Sequence, residues 1–142
     1  MGITMYCAGH RAYDLGYGGF MRLRVTVSRL CKKDIAKLYE FQAQHASWFS
    51  DDERWAECDN VFKKLCSKYK KKKYANALLF LYVPDTDARL SYKVANDLLK
   101  IIGNYDDHEI YGYAGQEDPF MFKDFKAILR YAAENKKKWG WE

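Results

Sequence analysis

SDDERWAECDNVFKKLCSKY, residues 50–69, is the stretch that sets the fold class. Ser50 with Glu53 three residues on is a capping box, in which each side chain satisfies a backbone N–H left open at a helix start. Trp55, Cys58, Phe62, Leu65, Cys66 and Tyr69 then recur at helical spacing, so one face is apolar and one is charged. The acidic start and lysine-rich end complement the helix dipole. A chain built around such a helix buries its apolar stripe against other elements, and the remaining stretches show what those are.

Working towards the N-terminus, Asp34 is placed to cap a helix with Ile35, Leu38, Tyr39 and Phe41 inward. Phe20, Leu23, Val27 and Leu30 define another helical stripe. Asp14 to Phe20 reads as a flexible, glycine-bearing entry to it, and Ala8 to Arg11 as a turn. Ile3-Thr4-Met5-Tyr6-Cys7 alternates, which predicts a short strand. Towards the C-terminus, Asn76 to Val83 is a continuous apolar run that fits a buried strand or a short helix equally. Asp85 to Ser91 resembles a calcium loop only superficially, with Leu90 where glycine is required and Asn96 where an acid is required. It reads as a turn, with Ser91 capping a helix that buries Val94, Leu98, Ile101 and Ile102 and stops at Gly103. Glu109 to Tyr113 is expected to form a short strand pairing with residues 3–7. Asp118-Pro119 marks a helix start, with Phe122, Phe125, Leu129 and Ala132 buried. At least one of Trp139 and Trp141 should dock on the domain. The expectation is an α+β, mainly helical single domain over residues 1–142, with four or five helices and a small two-stranded element.

Composition narrows the function classes. The 142 residues are 49% apolar with only nine Gly and two Pro, which excludes a disordered or collagen-like chain. The longest apolar run, Ala77 to Val83, is too short to span a bilayer. Polar residues interrupt the first twenty positions where a signal peptide needs an apolar core, so an intracellular protein is expected. Tyr6 stands where a myristoylation motif after Gly2 needs Ser or Thr. Cys7, Cys31, Cys58 and Cys66 show neither zinc spacing nor disulfide density. They read as free thiols, with Cys58 and Cys66 in the core. No metal and no cofactor are expected.

The formal net charge of +5 is local. Lys63, Lys64, Lys68, Lys70, Lys71, Lys72 and Lys73 lie within eleven residues, and without them 17 basic residues face 19 acidic ones. The run either complements the end of the 50–69 helix or contacts nucleic acid. Aromatic content is high, with twelve Tyr, eight Phe and four Trp, which serves an anchored core or a binding surface.

Three constellations carry chemistry. Gly16-Tyr17-Gly18-Gly19 leads into a helix with Arg22 and Arg24 in its opening turns, so backbone N–H groups and guanidinium forks are available to a phosphate or carboxylate. The plainer reading is a tight turn packed closely, with Arg22 in an ion pair. Asp106-Asp107-His108-Glu109 lacks further ligands at metal spacing and reads as a solvated acidic loop. Tyr111 and Tyr113, beside Gly112 and Gly115, offer faces for a nucleobase if they meet the Gly16 turn in space. No nucleophile elbow or paired-histidine helix is present, which disfavours an enzyme.

Asp14 to Arg24, Phe80-Leu81-Tyr82 through Asp85 to Leu90-Ser91-Tyr92-Lys93, Tyr113-Ala114-Gly115 and Phe122-Lys123-Asp124-Phe125 occur together in that order. The combination resembles small uncharacterised accessory proteins encoded by phages and integrated mobile elements of Gram-positive bacteria. The resemblance covers most of the chain and implies a small accessory gene of a mobile element, with no mechanism attached. Because such proteins often act by binding, the leading expectation is a non-enzymatic binding protein of the host cytoplasm. It would counteract host defence by sequestering a nucleotide-like signal or by blocking a defence protein. The alternatives are a nucleic-acid-binding protein using the lysine run and, third, a nucleotide-processing enzyme.

Overall fold

Alternation at residues 3–7 produces the strand it predicts. In the computed structural model, which describes residues 2–45, 52–84, 86–112, 115 and 117–142, β1 (Ile3–Cys7) turns Ile3, Met5 and Cys7 into the core and Thr4 and Tyr6 outward. Three-residue strands complete an antiparallel sheet: β2 (Tyr13–Leu15), β3 (Ala88–Leu90) and β4 (Trp139–Trp141), in the order β2-β1-β4-β3. The helices are α1 (Tyr17–Leu30), α2 (Lys33–His45), α3 (Asp52–Lys68), α4 (Lys73–Tyr82), α5 (Tyr92–Ile102) and α6 (Phe122–Asn135). The architecture is α+β as expected, but the described residues hold six helices and four strands rather than four or five and two.

The core explains why β4 is central. Trp139 and Trp141 are fully buried, and with Phe20, Phe80 and Phe125 they form a ring cluster with centroids 4.8–6.4 Å apart. A buried indole needs an acceptor for its N–H. Trp139 donates to the Ser91 carbonyl at 3.2 Å and Trp141 to the Pro84 carbonyl at 3.1 Å. These acceptors bracket β3, so the same two side chains fill the core and hold the α4–α5 connection.

Four local expectations are corrected. Residues 13–15 are β2, paired with β1 and tied to it by a 2.8 Å bond from Thr4 Oγ1 to Asp14 Oδ1, and α1 begins at Tyr17. The 85–91 turn contains β3, although Ser91 does cap α5 by accepting the Lys93 N–H. Residues 109–112 pair with the segment before α6, not with β1: Ile110 bridges Met121, and the N–H groups of Tyr111 and Gly112 bond the Phe120 carbonyl. That pairing holds residues 119–121 outside the helix, and Asp118, in a bend, pairs with Arg11 instead of capping it. α6 starts at Phe122 behind an Asp124 carboxylate that accepts the Met121 N–H.

The helical stripes are largely as read. Phe20, Leu23 and Val27, Ile35, Leu38 and Tyr39, and Phe122, Phe125, Leu129 and Ala132 are buried. Phe41 is 43% exposed and Cys66 is exposed, so neither is a core residue. Asn76 to Val83 resolves as helix, since α4 packs against α5 and α1 rather than entering the sheet. The cap at Ser50 and Asp51 lies outside the described residues. No described helix is long and apolar enough to cross a membrane.

Candidate ligand-binding site

The constellation at the start of α1 is assembled as adjacency but closed as a site. Gly16 is the N-cap, with no side-chain cap and no acid in the first turn. Tyr17, Gly18 and Gly19 are helical, so the expected glycine turn is a helix opening. A Cβ on Gly18 would meet open space, whereas one on Gly19 would collide with the Tyr111 carbonyl oxygen. Gly19 is therefore the contact that lets α1 lie against residues 110–112. Arg22 is exposed, donates to the Ile110 carbonyl at 3.2 Å and lies 5.6 Å from the Tyr111 ring centroid. The expected neighbourhood of Arg22 and Tyr111 exists.

Tyr111 faces the wrong way for a ligand. It is fully buried, its hydroxyl donates to Thr26 Oγ1 at 3.0 Å, and burial pushes its phenol well above the ordinary value. Arg24 is buried as well, donating to the Val83 carbonyl at 2.6 Å over Phe20 and Trp141. Tyr113 lies outside the described residues. Tyr17 and Met21 on the first turns of α1, and Ile110 on the segment that Arg22 bonds, are 40%, 46% and 45% exposed, so apolar side chains stand in the open on both elements.

The acidic segment 106–109 is dispersed into structural contacts. Asp107 pairs with the buried Lys126 at 2.6 Å, and Glu109 accepts the Tyr105 hydroxyl. The hydrogen bond from Lys126 holds the Asp107 carboxyl below its usual range. Among the described residues no group of three or more His, Cys, Asp or Glu is placed to hold a metal ion.

The lysine run does not all belong to one helix end. α3 stops at Lys68, which pairs with Asp34 at 2.7 Å, while Lys63 pairs with Asp59 at 3.0 Å. Lys64 is exposed on α3. Lys70 and Lys71 lie in the turn, Lys72 is the N-cap of α4 and Lys73 opens it. A cation at a helix N-terminus opposes the dipole, so the complementing role holds for Lys68 and fails for Lys72 and Lys73.

A different site emerges on the outer face of the sheet. An open groove of about 390 Å³ is lined by Tyr6, Ala8, Arg89, Lys137, Lys138 and Trp139. Register builds it: Tyr6 of β1 and Arg89 of β3 both stand opposite Gly140 of β4, all on the face turned away from the helices. A Cβ on Gly140 would strike the Ala88 carbonyl, so only glycine permits this close pairing. Arg89 Nε donates to the Tyr6 hydroxyl at 3.2 Å across the glycine, which raises the guanidinium pKa. Lys137 follows Lys136, which ends α6 in the left-handed conformation, and its ammonium bonds the Ala8 carbonyl at 3.0 Å. That bond ties the β1–β2 turn to the approach to β4. Lys138 is exposed, and its carbonyl accepts from the Cys7 thiol at 3.5 Å.

Sequence reasoning missed this groove because its residues come from three distant segments. The one local signal was the alternation of residues 3–7, which turns Tyr6 away from the core. Its partners require the register of β4. Compared with protein families, curated proteins and solved structures, the chain is matched by no family model, no curated protein and no solved structure.

Proposed function

We propose that the protein is a non-enzymatic binding protein that holds a nucleotide-like anionic ligand on the open face of its sheet. The observation that supports this best is the convergence of Arg89, Lys137, Lys138 and Tyr6 on one groove of about 390 Å³, within the volume range of small-molecule sites. The chemistry on offer is charge and stacking. A guanidinium and two ammoniums suit phosphate oxygens, and a tyrosine face suits a base. The resemblance to phage and mobile-element accessory proteins gives such a binder its role, which is removal of a host defence signal.

The test is calorimetric titration of the protein with ADP, together with native mass spectrometry of protein purified from infected cells. ADP should bind, and Arg89→Gln and Lys138→Gln should each weaken it by about tenfold or more, the scale of one charge-assisted hydrogen bond. Nucleotide released by denaturing the complex should be chemically unchanged. Absence of any bound nucleotide, with no response to ADP, would reject the reading.

The exposed Tyr17, Met21 and Ile110, on the two elements that Arg22 joins, favour a second reading, in which these side chains block a host defence protein. Phage protection in a defended host separates the two. Loss with Met21→Ser but not with Arg89→Gln supports the second reading, and the reverse supports the first.

A further inference from the structure

The lysine turn between α3 and α4 does not stand alone. The α1–α2 corner lies beside it: Lys32 reaches over the Tyr74 ring at 5.5 Å, and Lys73 approaches the same ring at 5.4 Å. Lys73 is also close enough to Cys31 to lower the pKa of its thiol, against the larger upward effect of burial. Two corners distant in sequence thus bring Lys32 and Lys73 to one ring, and the exposed Lys70, Lys71 and Lys72 form the turn that leads directly into Lys73. The ion pairs nearby involve Lys63 and Lys68. Among the described residues, no carboxylate pairs with Lys70, Lys71 or Lys72.

This arrangement costs the free protein stability. Lys71 has φ 64°, a left-handed conformation that glycine adopts more cheaply. Lys72 and Lys73 sit where the α4 dipole repels them, and the ammoniums repel each other. A polyanion would turn each of these repulsions into attraction. From the convergence of the two corners we infer that this surface is a docking site for the phosphate backbone of double-stranded nucleic acid, contacted without reading its sequence.

The chemistry of the surroundings selects the duplex. A single strand needs exposed aromatic faces to stack on. Here Tyr69 is buried and bonded to Asp34, and Tyr74 is half-buried beneath two ammoniums. Stable attachment to a membrane takes an apolar or lipid anchor beside the charges. Residues 70–73 are all lysine and supply none. What is left is positive charge spread over two corners, the requirement for a regular row of phosphates.

Binding to a generic duplex of about 20 base pairs should weaken roughly 500-fold between about 50 and about 200 mM salt if five lysines displace counterions, a log–log slope near −4.5. Lys70→Gln, Lys71→Gln and Lys72→Gln combined should flatten the slope by about 2.7, and Lys32→Gln alone by about 0.9. Lys93→Gln, on α5 outside the cluster, should leave it unchanged. Circular dichroism of each variant confirms that the fold is intact. The Lys32 result carries the most weight, because that residue joins the surface only through the fold. No duplex binding at low salt would overturn the inference, as would a slope indifferent to Lys32. Equal or tighter binding of a single strand, or of phosphatidylserine vesicles, would overturn it as well.

Discussion

Gly19 stands directly against the carbonyl oxygen of Tyr111, with no space between them for a Cβ. This contact brings the helix that carries Arg22 against the segment that carries Tyr111. One turn position earlier, Gly18 faces open space.

The two glycines should therefore respond in opposite directions to the same substitution. Gly19→Ala must push α1 away from residue 111 and should cost about 1–3 kcal/mol, as overpacking does. Gly18→Ala should stabilise by up to about 1 kcal/mol, because alanine is the better helix former. Urea denaturation of both variants measures the contrast.

Lys71 gives a prediction of the same kind. Its left-handed φ of 64° is unfavourable for any side chain with a Cβ, and glycine removes about 1 kcal/mol of that strain. Lys71→Gly should raise the Tm while weakening duplex binding. Opposite signs in the two measurements would show a conformation kept at the expense of stability.

Asp34 links stability to pH. Burial raises its pKa, but hydrogen bonds from the Lys68 ammonium, the Tyr69 hydroxyl and the Ile35 N–H outweigh burial and hold the carboxyl below its ordinary value. A carboxyl with a depressed folded pKa contributes stability above its unfolded pKa and loses it as pH falls through the folded one. Asp34→Asn should destabilise the protein near neutrality. The gap between variant and parent should close as pH falls from about 5 to about 2. Denaturant midpoints across that range test it.

The thiols should divide by exposure. Cys7 and Cys58 are buried, and burial pushes Cys31 up to about 12. Cys66 is exposed on α3. An aromatic disulfide reagent should titrate one thiol in the folded protein and four after unfolding, and Cys66→Ser should abolish the first.

Legibility in the sequence followed the length of each periodic pattern. The stripes from Phe20 to Val27 and from Phe122 to Ala132 span about two and about three turns, and each names a buried face correctly. Three-residue strands have no period to read. Tyr13–Leu15 looks like part of a loop, Ala88–Leu90 like part of a turn, and Trp139–Trp141 like a tail that docks. The Asp118-Pro119 signal was sound locally but lost to the pairing of Ile110 with Met121, which a single stretch cannot reveal. The site followed the same rule. That Arg22 and Tyr111 meet was legible; that Tyr111 turns inward to Thr26 was not, because nothing in Gly112 or its neighbours encodes that direction. The groove at Tyr6 and Arg89 exists only once Gly140 has come between their strands.

That central position of β4 has a kinetic consequence. Cys7 and Lys138, which meet beside β4, are 131 positions apart, whereas α1 with α2 and α4 with α5 are neighbours in sequence. Helical pairs of this kind form early, and contacts across long loops form late. Until Trp139–Trp141 arrives, β3 has no partner strand and β1 has only β2. Sheet closure is thus the final act of folding, and during the wait β1 and β3 expose a gap one strand wide. A second copy of the chain carries the strand that fits that gap, so refolding at high concentration favours exchange of β4 between molecules.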